Sequence, residues 1–138
     1  MRTLMYKDLS VNYGKSALEE VQMFRQEQNK AALARFLESA SVTFNGKDYG
    51  VTEADQNEMQ AMVMQYQMLS QAGVKTELQW HAKHEECEVF TVEEMVALVA
   101  TVKSFVLPHM NKMQAIKAQI YQATTKEEVL GIEIFKES

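Results

Sequence analysis

The fold of this chain is decided by residues 73–121, GVKTELQWHAKHEECEVFTVEEMVALVATVKSFVLPHMNKMQAIKAQIY. The stretch begins with alternating apolar and polar residues, continues through a short polar turn, and ends in a long apolar stripe. Alternation with a period of two is typical of a half-buried strand, and apolar residues at i, i+3, i+4 and i+7 are typical of an amphipathic helix. The stretch therefore predicts a β-hairpin followed by a long helix.

The hairpin is predicted over residues 75–90. Its second strand, Cys87-Glu88-Val89-Phe90, follows a polar turn at residues 83–86 and is rich in residues that favour strands. Trp80 is expected to anchor the buried face of the hairpin. The other residues on that side of the first strand are Thr76, Leu78 and Ala82.

The helix is predicted over residues 92–122. Thr91 stands three residues before Glu94, which is the spacing of a capping box. Pro108 interrupts the helix, and a proline lacks the N–H that the helix ladder needs, so the sequence predicts a kink there. The apolar stripe continues past Pro108, which favours one bent helix. Its members are Met95, Leu98, Val99, Val102, Phe105, Val106, Met110, Met113, Ile116 and Ile120.

The residues before this stretch predict a second hairpin and two further helices. Asn45-Gly46 favours a type I′ turn, which places Phe44 opposite Lys47 and Val42 opposite Tyr49. Thr52 and Asp55 predict the start of a helix over 53–71, and Gly73 predicts its end. Residues 16–38 favour a helix on propensity. Residues 1–14 are expected to form an irregular arm.

The role of the helix over 16–38 stays open at the level of sequence. Gln28 interrupts its apolar stripe, which weakens the prediction of a buried face. One interpretation is a protruding helix that pairs with a copy of itself or with a larger protein. The other is a partly solvated helix that lies on the sheet of its own chain.

At the C-terminal end, Thr124 and Thr125 precede Glu127 and Glu128, which predicts a short capped helix up to Leu130. Residues 132–135 are expected to form an edge strand or a docked tail. Together the motifs predict an α+β fold in which two antiparallel β-hairpins form a small sheet packed against two main helices, with an N-terminal accessory helix. We expect residues 1–40 to form the arm and helix and residues 41–138 to form a compact domain.

Composition limits the classes of partner. The 138 residues carry a formal net charge of −5, which disfavours nucleic acid and an anionic membrane surface as partners. Neither a signal-peptide core nor an apolar run of about 18 residues is present, so no membrane association and a cytoplasmic location are expected. The chain contains 1 cysteine and therefore no internal disulfide.

Methionine is abundant, with 10 residues in the chain. Flexible thioether side chains suit an adaptable surface that binds a partner, and they also fill gaps in a core. Core packing is the favoured interpretation for most of them, while the Met-rich helix faces and the helix over 16–38 are the best candidates for contact with a partner. The methionines on predicted helices are Met59, Met62, Met64, Met68, Met95, Met110 and Met113.

The motif His81-x-x-His84-x-x-Cys87 is the sharpest candidate for chemistry. Imidazole and thiolate are good zinc ligands, but a closed zinc site needs four ligands and no second ligand cluster accompanies this turn. We therefore expect an exposed polar turn with a small buried Cys87, and no catalytic, cofactor-binding or metal-ligating residues. The alternative is a small metal-binding protein or metalloenzyme that uses His81, His84 and Cys87.

The order of these motifs resembles an uncharacterised domain family found in tailed-bacteriophage and prophage proteins, often encoded near or within tail-fibre and other virion genes. The resemblance covers about residues 35–134 and leaves out both the His/Cys turn and the N-terminal helix. It is carried by Val42-Thr43-Phe44-Asn45-Gly46-Lys47-Asp48-Tyr49, the helix after Thr52, Leu78-Gln79-Trp80, Phe90-Thr91-Val92-Glu93-Glu94-Met95 and Ile116-Lys117-Ala118-Gln119-Ile120-Tyr121-Gln122-Ala123-Thr124.

The resemblance implies a non-enzymatic structural or assembly role in a phage or prophage, as a tail-associated component, an adaptor or a chaperone. Its implied partners are other phage virion or tail proteins, and the chain is expected to form a homo-oligomer. The implied location is the virion or the cytoplasm of the bacterial host. A host-directed phage inhibitor is a further alternative. The family carries no catalytic residues that could be transferred to this chain.

Overall fold

The computed structural model describes residues 16–136 and has an α+β fold, as predicted. Within this range there are four helices and two antiparallel β-hairpins. In chain order the elements are α1 (Ala17–Ser39), β1 (Ser41–Phe44), β2 (Lys47–Gly50), α2 (Glu53–Gln71), β3 (Leu78–His81), β4 (Cys87–Phe90), α3 (Val92–Gln122) and α4 (Lys126–Gly131). The predicted arm, residues 1–14, lies outside the described residues.

The chain forms two compact units. The central unit is residues 34–109, and the terminal unit combines residues 16–33 with residues 110–136 of the described range. Helices α1 and α3 contribute residues to both units. The predicted boundary between residues 1–40 and residues 41–138 stays a prediction.

The first hairpin of the central unit has the predicted register. Val42 pairs with Tyr49 and Phe44 pairs with Lys47. Asn45 and Gly46 have φ angles of 52° and 81°, as a type I′ turn requires at both central positions. Val42 and Tyr49 are buried, so the register sets which face of the hairpin joins the core.

The second hairpin buries Leu78 and Trp80, and Ala82 just beyond β3, as the alternation predicts, whereas Thr76 is exposed and precedes the strand. The prediction of one small sheet is wrong, because the hairpins form two separate two-stranded sheets. The backbone contact between them is one hydrogen bond of 2.8 Å, donated by the Lys83 N–H to the Asp48 carbonyl. A single bond between hairpin ends does not continue a ladder of paired strands.

Helix α2 begins and ends at the predicted residues. The Thr52 hydroxyl accepts from the Asp55 N–H at 3.0 Å, and the Asp55 carboxylate accepts from the Thr52 N–H at 3.1 Å. Gly50 makes room for that carboxylate, since a Cβ at Gly50 would lie 2.5 Å from Asp55 Oδ2. Gly73 follows the helix with a φ of 80°, the left-handed conformation that favours glycine after a helix.

Helix α3 is continuous through Pro108, as the uninterrupted stripe predicts. The predicted kink at Pro108 stays a prediction. Thr91 and Glu94 form the expected capping box, with hydrogen bonds of 3.0 and 2.9 Å. Every element of the central unit contributes buried apolar side chains, namely Leu37, Val42, Tyr49, Val51, Met59, Leu78, Trp80, Ala82, Phe90, Met95, Leu98, Val102 and Val106.

The terminal unit contains a buried polar face on α1. Gln22, Gln26 and Asn29 follow each other at spacings of four and three residues, which places them on one side of the helix. All three side chains are buried, and Asn29 is 0% exposed. Around them lies an apolar cluster of Val21, Ile120 and Val129, with Leu18, Ile116, Ala123 and Ile132 packed against it.

These amides bind backbone groups of α3. Gln22 Nε2 donates to the Ile120 carbonyl at 3.1 Å, and Asn29 Nδ2 donates to the Met113 carbonyl at 3.0 Å. The Ile120 carbonyl belongs to the last turn of α3, and its regular partner, the Thr124 N–H, donates instead to the Glu128 carboxylate. The Gln22 amide therefore satisfies a carbonyl that the helix end leaves without a partner.

The C-terminal segment forms a docked tail, and residues 132–135 are not a strand. The Phe135 N–H donates to Asn29 Oδ1 at 2.8 Å, and Arg25 donates to the Ile132 carbonyl at 2.7 Å. The Phe135 side chain is buried. Helix α1 thus has a larger role than the accessory one predicted, because its residues up to Leu33 form the polar and apolar core of the terminal unit.

We predict that Asn29→Ala lowers the free energy of unfolding by about 2–3 kcal/mol, because it leaves buried polar groups without partners. Urea denaturation measures the change, and hydrogen exchange should show lost protection of the Phe135 amide. Lys30→Ala, at an exposed position of the same helix, is the control and should change stability by less than about 0.5 kcal/mol. An Asn29→Ala chain as stable as this control would contradict the role of the amide.

The start of α4 predicts a pH dependence. Hydrogen bonds from the Thr124 backbone N–H and hydroxyl, followed by those from Thr125, hold the pKa of Glu128 below its ordinary value of 4.5. The carboxylate form is thus favoured in the folded state, so its contribution to stability is present above the unfolded pKa and is lost as the pH falls through the folded pKa.

We therefore expect Glu128→Gln to lower the stability of the chain at neutral pH. The difference in stability between this variant and the parent chain should shrink as the pH falls below about 4.5. Urea midpoints measured across this pH range test the expectation. Glu127→Gln removes the same charge from the same turn and serves as the control. A Glu128→Gln difference that does not vary with pH would contradict the assigned hydrogen bonds.

Candidate interaction surface

The turn that carries the candidate metal ligands is built by the second hairpin. His81 and Cys87 are cross-strand partners at the ends of β3 and β4, and His84 lies in the turn with a φ of 63°. The His81 ring stacks on the Trp80 ring with centroids 4.7 Å apart, and its Nδ1 lies 3.2 Å from the Ala82 carbonyl oxygen. The contacts of the His81 imidazole are therefore with its own neighbours in the hairpin, Trp80 and Ala82.

The three residues do not converge on a common point. Among residues 16–136, no group of three or more His, Cys, Asp or Glu side chains is arranged to hold a metal ion. The prediction of a buried Cys87 is wrong, since its side chain is exposed. The reason is the register, because Cys87 pairs with His81 and shares the outward face with Val89, whereas Phe90 faces the core.

The acidic residues around this turn bind a lysine of the first hairpin. Lys47 Nζ forms ion pairs with Glu88 and with Glu85, the latter at 3.1 Å. Hydrogen bonds to Glu88 and then Glu85 raise the pKa of Lys47 well above its ordinary value. Tyr49 and Phe90 make an edge contact between the same hairpins, with centroids 6.1 Å apart. These carboxylates therefore form exposed ion pairs between the two hairpins, and such pairs contribute little to stability beside the buried aromatic contact.

The structure separates the methionines of the predicted helices into buried, half-buried and exposed ones, and Met110, at 44%, is among the exposed ones. Met59 and Met95 are buried, which confirms core packing for these two, and Met62 and Met113 are half-buried. Met64 and Met68 are 62% and 64% exposed, although they lie in the middle and the C-terminal half of a regular helix. Two large, exposed apolar side chains one helical turn apart are the type of feature that marks a contact surface.

The stretch of chain that contains these two methionines carries no charge. From Met59 to Val74 the chain contains no Asp, Glu, Lys or Arg, although 24% of the whole chain is charged. The exposed side of α2 in this stretch, which we call the α2 outer face, consists of Gln60, Ala61, Met64, Gln67, Met68 and Gln71. A helix face exposed to water is normally rich in charges, and the α2 outer face departs from this composition.

Over the residues that form the terminal unit, one face of helix α1 is buried, while Met23 and Phe24 on the same helix are 42% and 49% exposed. Contact of α1 with a partner stays a prediction. The inner face of α1 is occupied by the hydrogen bonds of Gln22, Gln26 and Asn29 to α3 and the tail. The sequence carried a signal for this arrangement, because amides at i, i+4 and i+7 continue the stripe between Val21 and Leu33.

The described residues include no helix that is long and apolar enough to cross a membrane. Residues 17–134 match the model of a protein family described as a domain of unknown function, DUF4376. The matched range runs from the start of α1 to the docked tail and so includes both units. No curated protein matches the chain. No solved structure matches it either.

We predict that Cys87 reacts stoichiometrically with a thiol reagent in the folded chain, and that added zinc leaves the rate unchanged. The exposed thiol is accessible to the reagent, and His81 and His84 are not arranged to bind a metal together with it. The absorbance of the thiolate that the reagent releases measures the rate, and Cys87→Ser is the unreactive control. If zinc protected the Cys87 thiol from the reagent and His81→Ala abolished this protection, the result would contradict this geometry and support a metal site.

Proposed function

The chain belongs to the DUF4376 family, a domain of unknown function. We propose that it is a non-enzymatic structural or assembly protein of a tailed bacteriophage or prophage. It acts through protein–protein contacts, as a tail-associated component, an adaptor or an assembly chaperone. The order of hairpins, caps and helices, which resembles that of domains encoded near phage tail-fibre and other virion genes, supports the phage assignment. The proposed location is the virion or the host cytoplasm during assembly.

The α2 outer face is the observation that carries the proposal. Met64 and Met68 expose large, flexible side chains, and their exposed neighbours on the same side of α2 are glutamine and alanine, which carry no charge. Methionine adapts to the shape of a partner, and an uncharged rim allows that partner to approach without the cost of burying an unpaired charge. The chemistry of the face therefore fits an apolar or amide-rich surface on another virion or tail protein.

The polar groups of the central unit support a non-enzymatic role. Glu85 and Glu88 bind Lys47, and Glu94 accepts the Thr91 N–H in the capping box of α3. These carboxylates have a structural function in the hydrogen bonding of the hairpins and the helix start.

The proposal is tested in a bacterial strain that carries the gene within a phage or prophage. After induction, particles and assembly intermediates are separated on a gradient and probed with an antibody against the chain. A structural component is expected in mature particles, and an assembly factor only in intermediates. A chain that occurs in neither fraction, and only as free protein in the host cytoplasm, would contradict the proposal.

We predict that Met64→Glu combined with Met68→Glu reduces the amount of chain that sediments with particles or intermediates by about tenfold or more, because two buried carboxylates replace apolar contacts. Both positions are exposed, so the fold is expected to tolerate the changes, and circular dichroism with a thermal melt verifies this. The tagged variants are expressed in the induced strain alongside the parent chain.

The control is Ala54→Glu, which places one carboxylate, half of the charge that the double variant adds, in the first turn of α2. This position is exposed and lies ten residues before Met64, about 15 Å away along the helix axis. The control should sediment like the parent chain. Equal sedimentation of the control and the Met64→Glu, Met68→Glu variant would show that the α2 outer face does not bind the partner.

A further inference from the structure

Helix α3 has a second stripe on the side opposite its buried residues. Val96 and Leu107 are 48% and 57% exposed, although both are large aliphatic residues on a regular helix. They belong to a series of exposed residues spaced by three, four, three and four positions, which we call the α3 outer stripe. Its members, all in the central unit, are Glu93, Val96, Ala100, Lys103 and Leu107.

This spacing is the a/d repeat with which one helix packs along another. Alternation of three and four residues keeps side chains in line with a neighbouring helix over several turns. Ala100 lies between the apolar positions, and its small side chain allows close approach of a second helix. The buried stripe of the same helix, which includes Met95, Leu98 and Val102, occupies the core. The α3 outer stripe is therefore separate from the stripe that packs in the core.

The charges on the stripe are arranged symmetrically. Glu93 and Lys103 lie five residues before and five residues after position 98, and Val96 and Ala100 lie two residues before and after it. Among the described residues, neither Glu93 nor Lys103 forms an ion pair. A helix whose charges have opposite sign at equal distances from one point is complementary to a copy of itself that runs in the opposite direction.

We propose that the α3 outer stripe binds the α3 outer stripe of a second copy of this chain, with the two helices antiparallel and centred on position 98. Glu93 then faces the partner's Lys103, and Val96 faces the partner's Ala100. Each contact occurs twice because the arrangement has two-fold symmetry. The inference rests on the proposed function, since it names a second copy as one partner of a protein that acts through protein–protein contacts.

The charges exclude the parallel alternative. In a parallel pair in register, Glu93 would face the partner's Glu93 and Lys103 would face the partner's Lys103. Like charges in direct contact destabilise an interface, whereas the antiparallel register replaces both repulsions with attractions. The charges therefore determine the direction of pairing, and the apolar residues between them provide the attraction.

The small area of the stripe limits the affinity of the dimer. Stable dimers bury about 800 Å² on each partner, and a few turns of one helix bury less than this. The dimer is therefore weak and concentration-dependent. Its ion pairs lie at the rim, so raising the salt concentration should weaken association, because exposed charges are screened over about 10 Å at 0.1 M salt.

The test uses two charge reversals on the full-length chain. Glu93→Lys gives a stripe with two lysines, and Lys103→Glu gives a stripe with two glutamates, so each variant repels its own copies and complements the other variant. Sedimentation velocity over a concentration series is measured for the parent chain, for each variant alone and for an equimolar mixture. Thermal melts verify that the exposed substitutions leave the fold intact.

We expect the parent chain to dimerise, each variant alone to show a Kd raised by more than about tenfold, and the mixture to restore dimerisation as a heterodimer. A chain that carries both reversals should dimerise with itself. Lys75→Glu places the same charge change at an exposed position of the central unit outside the stripe, and it should dimerise like the parent chain.

A parent chain that is monomeric at every accessible concentration would overturn the inference, and so would a dimer that neither reversal weakens. A mixture that stays monomeric would overturn the antiparallel register. The outcome is independent of the test of the proposed function. A chain that does not dimerise but still sediments with particles contradicts only this inference. A chain that dimerises but occurs in neither particles nor intermediates contradicts only the phage role.

Discussion

The buried side-chain amide of Asn29 is the interaction on which the terminal unit depends. A fully buried amide is tolerated only when its donors and acceptor have partners, and Asn29 satisfies them with Gln26, the Met113 carbonyl and the Phe135 N–H. Because those partners belong to α1, α3 and the C-terminal segment, one side chain fixes three parts of the chain against each other. The apolar cluster around Val21 stabilises them, and the amide determines their register.

The central unit follows a different principle, because local signals determine its elements and apolar burial joins them. Type I′ turn residues and two capping boxes set where the first hairpin and helices α2 and α3 begin. Once Met59, Trp80 and Met95 face the core, the opposite sides of α2 and α3 are fixed as outer surfaces. The two surfaces differ in chemistry, since the α2 outer face is uncharged and the α3 outer stripe carries one acidic and one basic residue. This difference is the reason for proposing two kinds of partner, an unlike protein for the first surface and a second copy for the second.

The features that the sequence predicted correctly are those that short stretches determine. The register of the first hairpin follows from Asn45-Gly46. Thr52 and Thr91 predict the starts of α2 and α3, and Gly73 predicts the end of α2, because each of these residues acts on its immediate neighbours. The separation of the two sheets was not predictable in this way, since it depends on whether hairpins far apart in the chain align. The role of Gln22, Gln26 and Asn29 was missed because buried amides resemble solvent-facing residues when polarity alone is considered. Their helical spacing was the available signal.

The central claim that this chain pairs with a second copy of itself, without a bound metal, is tested most directly by native mass spectrometry of the unmodified chain, because one spectrum reports both subunit count and bound mass. The account predicts a mixture of monomer and dimer at the mass of the polypeptide, with the dimer fraction rising with concentration. A chain that stays monomeric at every concentration, or one that carries a stoichiometric metal ion, would contradict it.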